Sequence, residues 1–470
     1  MCSLMTAPFN DEPTLVDHLG RAGWVRWFAA NVRNCSPPYV FSVHGDWGSG
    51  KTSFLHQLYG FFTGHKPSGE KLLPQETDLW GAKWKPADRY MVIWFEAWRY
   101  QNELVPVVAM LHELRGQWAW YRRTFEWVKK ITEVTARGAL LVIDEATRKI
   151  DDENTVKLKP SASGIQALGE RWEAEHFQTP LATQKLREFL CEAIRTLIGK
   201  KGRLVVLIDD LDRCQPEAAY KLLEGIKIYL NLPNCVFVLA MDQRQLERAI
   251  AQCLPGGSKG AGDGGLPPVG AMQQAREYLE KICQDVWQLP LIPLEKHCEY
   301  MNLCLEGHCP GKENAVADIL SVFKGKNYLP ANARKLKAYA NTLRRFMEHC
   351  SSSSGSNRER HAKLIGVFSC LYQFHPDLYR RLESNPRFYN EVREWAADGR
   401  SRNPVFQDIE IAGVAPENTP AGGPPSSPGR FVTFPDPATG NVFRIRDLIL
   451  EVQAVPEQEV KCYLLPHART

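Results

Sequence analysis

The residues Gly45-Asp46-Trp47-Gly48-Ser49-Gly50-Lys51-Thr52 hold the spacing G-x-x-x-x-G-K-S/T, a pattern whose chemistry is the capture of phosphate. Gly45, Gly48 and Gly50 let backbone N–H groups turn toward phosphate oxygens in conformations that a side chain would obstruct. Lys51 is placed to meet the β- and γ-phosphates of a nucleotide, and the Thr52 hydroxyl to ligate Mg²⁺, with Ser53 completing the loop residues expected at the ligand. Further along, five apolar residues, Leu204-Val205-Val206-Leu207-Ile208, run into Asp209-Asp210. A buried parallel strand with that ending presents Asp209 to the Mg²⁺ shell and sets Asp210 where a general base polarises the attacking water. Two acids capping the following helix are the plainer alternative.

These groups need elements to hold them. Tyr39 to His44 is rich in β-branched and aromatic residues and predicts a strand, while Ser53 to Tyr59 places apolar groups at helical spacing. A strand feeding a glycine loop that opens a helix is the context in which a phosphate loop works. Before it, Leu15, Val16, Leu19, Trp24, Val25, Phe28 and Ala29 predict a helix from about Glu12 to Val32, from which Arg21 could reach a base or ribose. A solvated arginine is the alternative for that residue. Arg89 to Trp98 predicts a second, doubly covered strand with Glu96 and Arg99 at its end, a pair read first as a structural ion pair. Leu186 to Leu197 predicts a helix stopped at Gly199, and Cys235 to Met241 another buried strand. Asp242 at that strand's tip is a candidate for the water or Mg²⁺ network, or else a helix N-cap.

Between Leu104 and Glu133 the pattern is helical and aromatic. Trp118, Tyr121, Phe125 and Val128 share one side, with Arg122, Arg123, Lys129 and Lys130 largely elsewhere. Packing against the sheet is the first reading of this face, and a membrane surface or a partner the second. His297, Cys298, Cys304, His308 and Cys309 cluster in sequence, but zinc would need four of them to converge and the spacing lacks a paired C-x-x-C knuckle. A basic helix opens near Leu329, and an arginine at its start, Arg334, could reach back to a γ-phosphate, with a solvated basic face as the alternative. Gly413 to Gly429 is dominated by Pro, Gly and Ser, and the residues after it predict a small β element.

The chain of 470 residues is too long for one ordinary core, so two domains or one large domain with insertions are expected. Its 44% hydrophobic and 24% charged content is that of a globular protein, and a net charge of +4 gives no signal for nucleic acid or an anionic membrane. Thirteen cysteines without a secretory segment suggest reduced thiols and a cytoplasmic setting. No apolar run approaches the roughly 18 residues that span a bilayer.

The chain resembles the KAP family of P-loop NTPases. The likeness rests on Asp17-x-Leu19-Gly20-Arg21, the Trp-containing loop Gly45 to Thr52, Trp94-Phe95-Glu96-Ala97-Trp98-Arg99-Tyr100-Gln101, Asp209-Asp210-Leu211-Asp212-Arg213-Cys214, Val236 to Asp242 and Tyr278-Leu279-Glu280-Lys281-Ile282, in the family's order. The family's usual Asn-Pro-Arg before the lid helix reads Asn332-Ala333-Arg334 here. The resemblance implies an α/β fold of the ASCE type, a parallel sheet flanked by helices with one strand between the P-loop and Walker B strands, then a helical region and ATP hydrolysis. Many members carry membrane spans between those strands; this chain looks like the soluble bacterial type, often associated with exclusion of phage or mobile elements. Residues 1–290 are then the P-loop domain with a helical insertion at about 104–180, 291–400 a helical lid region, and 401–470 a linker and small β element. ATP and Mg²⁺ are the expected ligands, and other proteins and further copies of the chain the expected partners. The alternative is a nucleotide-gated scaffold or an adaptor to a membrane surface or nucleic acid; a small-molecule kinase is weaker, since no compact acceptor lid can be read.

Overall fold

The computed structural model describes residues 12–465 apart from 78–79, 82–83, 87–88, 104–105, 130–136, 145–147, 149–180, 200–201, 230–231, 255–268, 307–308, 310–311, 351–357, 399–433, 436–441 and 444. Lys130, His308, the glycine-rich stretch after Leu254 and the stretch Gly413 to Gly429 therefore lie outside the described residues.

Five strands form one parallel sheet: β1 (Tyr39–His44), β2 (Tyr90–Glu96), β3 (Arg203–Asp209), β4 (Cys235–Met241) and β5 (Asp285–Gln288), in the order β2-β3-β4-β1-β5. β4 lies between the strand that feeds the glycine loop and the strand that ends in two acids, which is the ASCE arrangement. The runs are nearly all apolar because both faces are covered. In β3, Val205 and Leu207 enter one core while Leu204, Val206 and Ile208 enter the other. β4 repeats this, with Val236, Val238 and Ala240 on the first side and Cys235, Phe237, Leu239 and Met241 on the second. Helices α1 (Ala22–Asn34) and α2 (Lys51–Thr63) fill the first face. The second is filled by α3 (Pro106–Thr124), α4 (Leu181–Ile198), α5 (Pro216–Tyr229), α6 (Gln243–Cys253) and α7 (Val269–Ile282).

Helix α1 starts later than its apolar stripe predicts. Asp17 accepts from the backbone N–H groups of Arg21 at 2.8 Å and Ala22 at 2.7 Å, and Gly20 sits at φ +73°, so the chain turns there instead of continuing back as helix. Residues 12–21 are thereby left as an irregular segment.

The aromatic side of α3 and of the turn that follows it faces inward. Trp118, Tyr121 and Val128 are buried in the second core, and Trp120 and Phe125 pack against it. β2 is an edge strand, and α3 covers its outward backbone. The Tyr121 hydroxyl accepts from Val92 N–H at 2.7 Å and donates to Val92 O at 2.9 Å, while Gln117 Oε1 accepts from Trp94 N–H at 3.2 Å and its Nε2 donates to Trp94 O at 2.9 Å. Two side chains thus do for this edge what a neighbouring strand would do.

A helical body follows: α8 (Leu294–Leu305), α9 (Glu313–Phe323), α10 (Ala333–Cys350), α11 (Arg358–Phe374), α12 (Pro376–Ser384) and α13 (Phe388–Asp398). Its core holds Met301, Leu336, Tyr339, Phe346 and Phe368. The C-terminal β element is small, two-residue strands β6 (Phe434–Pro435) and β7 (Val442–Phe443) paired antiparallel. Beyond it the chain becomes helical, as α14 (Ile445–Leu450) and α15 (Glu457–Cys462), and returns to the same core through Leu448, Val455 and Val460. Arg360 grips Glu459 through Nε at 3.1 Å and Nη2 at 3.0 Å, and Asn390 exchanges two 3.0 Å hydrogen bonds with the backbone of Val455. Among the described residues no helix is long and apolar enough to cross a membrane.

Candidate nucleotide site

The carboxyl ends of β1 and β3 bring the two motifs together. Gly48 at φ +81° and Gly50 at φ +95° turn the loop, and α2 begins directly at Lys51. The Lys51 ammonium lies inside the loop, donating to Gly45 O at 2.7 Å and Asp46 O at 3.4 Å, and stands 3.4 Å from the Asp212 carboxylate. Helix α2 thus directs its N-terminus at the loop, where an anion is favoured.

Asp209 is only 2% exposed, and its Oδ1 is buried with no hydrogen-bond partner. Burial, and then the neighbouring Asp210, push the Asp209 carboxyl up to about 7, against the lowering pull of the Thr52 hydroxyl beside it. A buried carboxylate oxygen without a donor, beside a hydroxyl and below a phosphate loop, is a hard oxygen set that suits Mg²⁺. Asp210 adopts φ +57°, an uncommon left-handed conformation for a residue with a side chain, and its Oδ1 lies 2.9 Å from Arg213 Nη2. Its carboxyl is raised by burial, against the lowering pull of Arg213.

The other expected residues fall into distinct places. Arg21 is buried; its Nη1 donates to Ser49 O at 2.7 Å and its Nη2 to Pro290 O, so it braces the loop's backbone at the cavity wall. Burial lowers its guanidinium to about 10. Asp242 caps α6, accepting from Arg244 N–H at 3.0 Å and Gln245 N–H at 3.2 Å, while its own N–H donates to Asp212 Oδ2 at 2.7 Å. Of its two readings, the N-cap is the one these bonds describe. Arg334 donates its backbone N–H to Gly48 O at 3.2 Å, and its guanidinium lies 5.8 Å from the Trp47 ring centroid. Asn332, fully buried, donates Nδ2 to Trp47 O at 2.8 Å. A Cβ on Gly48 would stand 2.6 Å from Arg334 Cβ and 2.7 Å from Asn332 Oδ1, so the absent side chain is what lets the helical body close on the loop.

Lys51, Thr52, Asp210, Asp212, Arg213 and Arg334 line a cavity of about 280 Å³, together with Arg21, Asp17, Tyr300 and Lys337. The sequence pattern alone assigns no separate role to Asp212 and Arg213, although both stand in the block that follows Asp209. Only the fold reveals that one meets Lys51 and the other Trp47. Glu96 and Arg99 pair with each other at 2.8 Å. Of the His/Cys cluster, His297 donates Nε2 to Ile292 O at 3.2 Å, Cys298 points its thiol to Leu320 O at 3.5 Å and Cys304 is buried in the helical core. Among the described residues no three His, Cys, Asp or Glu side chains converge as a metal cluster.

Residues 27–349 match the KAP family P-loop domain. Among solved structures, the Aeropyrum pernix ORC2 protein, described in ADPNP and ADP complexes, aligns at 12% identity over 76% of this chain and 70% of that one, with a TM-score of 0.34. No curated protein matches the sequence. The chain belongs to the KAP family of P-loop NTPases.

Proposed function

We propose that this protein binds and hydrolyses ATP with Mg²⁺ and uses the cycle as a conformational switch. The observation that carries the reading is the convergence of Lys51, Thr52, Asp209 and Asp210 at the ends of two strands separated by β4, beside one cavity. The glycine loop and Lys51 hold the β- and γ-phosphates, and the rest of the cavity receives the nucleoside. Thr52 and Asp209 are the residues that would hold Mg²⁺, which when bound neutralises charge on the phosphate oxygens. Asp210 orients the attacking water and takes its proton as the water oxygen bonds to the γ-phosphorus and the bond to the β–γ bridging oxygen breaks, giving ADP and phosphate.

The switch reading is supported by the attachment of the helical body to the loop. Arg334 N–H and Asn332 Nδ2 hold the carbonyls of Gly48 and Trp47, so a shift of the loop around phosphate reaches α10 directly. Partner proteins or further copies of the chain would read that movement, and defence against phage or mobile elements is a setting such a switch suits. The adaptor reading loses its aromatic surface, because Trp118, Tyr121 and Val128 are in the core. Equilibrium titration with ATP and Mg²⁺ tests the site: wild type binds and Lys51→Ala loses at least tenfold in affinity. Equal binding by both proteins would refute the assignment.

A further inference from the structure

Arg213 stands at the mouth of the phosphate loop between two weak holds. Its guanidinium pairs with Asp210 at 2.9 Å and lies 5.3 Å from the centroid of Trp47, whose indole also carries Arg334 at 5.8 Å. The left-handed turn at Asp210, φ +57°, begins the short helical turn Leu211–Arg213 and brings the side chain back over the loop. Arg213 and Asp210 are both partly exposed, at 36% and 21%, so their ion pair is screened by water and easily exchanged. The contact with Trp47 is likewise a modest one at a water-exposed site. A terminal phosphate carries more charge than a carboxylate and accepts a guanidinium through two oxygens at once, so it outcompetes Asp210 for Arg213.

We infer that Arg213 is the residue by which this protein distinguishes a nucleoside triphosphate from a diphosphate. With a triphosphate in the loop, the guanidinium exchanges Asp210 for γ-phosphate oxygens, and the Asp210 carboxylate is released to the water it must orient. A diphosphate offers no such partner, and the Asp210–Arg213 pair stays closed. The exchange couples recognition of the third phosphate to release of the base, and it moves a group off the face of Trp47, whose backbone is held by Asn332 of the helical body. The inference rests on the nucleotide reading of the site.

The test is calorimetric titration of the full chain, in Mg²⁺, with ADP and with a non-hydrolysable ATP analogue, for wild type, Arg213→Ala and Arg213→Lys. Wild type is expected to favour the triphosphate, and Arg213→Ala to lose about tenfold or more for the triphosphate while its ADP affinity stays within about twofold. Arg213→Lys, which keeps charge without the planar fork, should fall between them. Equal loss for both nucleotides, or an unchanged ratio, overturns the role of Arg213 while leaving the site assignment standing. Failure of the wild type to bind either nucleotide overturns both. Circular dichroism of the variants separates these results from misfolding, and the Lys variant serves if the Ala variant does not fold.

Discussion

The backbone N–H of Arg334 donates to the carbonyl of Gly48 at 3.2 Å, joining the first turn of α10 to the middle of the phosphate loop. Asn332 lies beside this bond, its Nδ2 on Trp47 O at 2.8 Å and its Oδ1 accepting from Lys335 N–H at 3.1 Å. One fully buried amide therefore caps a helix and holds the loop at once. The helical body is thus attached directly to the glycine loop.

Replacing Asn332 with Ala removes both bonds and leaves the Trp47 carbonyl and the start of α10 without their donor and cap. A loss of about 1–3 kcal/mol is expected, together with weaker ATP binding. Chemical denaturation and nucleotide titration of the same variant check this. A stability loss with unaltered ATP affinity would mean that the attachment does not couple the helical body to the site.

A related prediction concerns Arg21, which braces the loop through another carbonyl. Its guanidinium is buried and bonded to the carbonyls of Ser49 and Pro290, so Arg21→Leu should leave two acceptors without their donor and cost about 2–3 kcal/mol. ATP and ADP affinities should fall by the same factor, because the brace acts on the loop and not on the third phosphate. A change in the ATP to ADP ratio would show that Arg21 contacts the nucleotide's end directly.

Acid should weaken the helical body. His375 is buried there, and burial lowers its imidazole to about 3, below the ordinary 6.5 of the unfolded chain. The neutral ring is what the fold accommodates, so this contribution is complete above pH 6.5 and is lost as pH falls toward 3. The slope is at most about 1.4 kcal/mol per pH unit for the single group. His375→Phe should make stability less steep between pH 6.5 and 4 in urea titrations; an unchanged slope would remove His375 from the account.

Much of the sheet is legible in the chain because its strands are covered on both faces and read as unbroken apolar runs. The glycine loop and Asp209-Asp210 are equally clear, since each motif lies within a few consecutive residues. β5 is different: Asp285-Val286-Trp287-Gln288 is four residues long with a polar residue at each end, too short for a periodic signal. The contacts of Trp47 with Arg213 and Arg334 join residues far apart in sequence, so no local pattern announces them. Asp242 offered two roles on equal local grounds, and the N–H groups of Arg244 and Gln245 are what engage its side chain. Residues 445–462 follow a Pro- and Gly-rich stretch that reads as linker, and their helices are explained by the core they meet, not by propensity alone.

Under the proposed function, Asp210 activates water for hydrolysis of a nucleotide held by Lys51 and Thr52. The most direct measurement is Mg²⁺-dependent phosphate release from ATP by wild type and Asp210→Asn, with ATP affinity determined for each. The account predicts turnover by the wild type and a loss of at least about a hundredfold in Asp210→Asn, with ATP still bound. Turnover by Asp210→Asn at the wild-type rate would contradict it, and binding without turnover in the wild type would make the chain a nucleotide-gated scaffold.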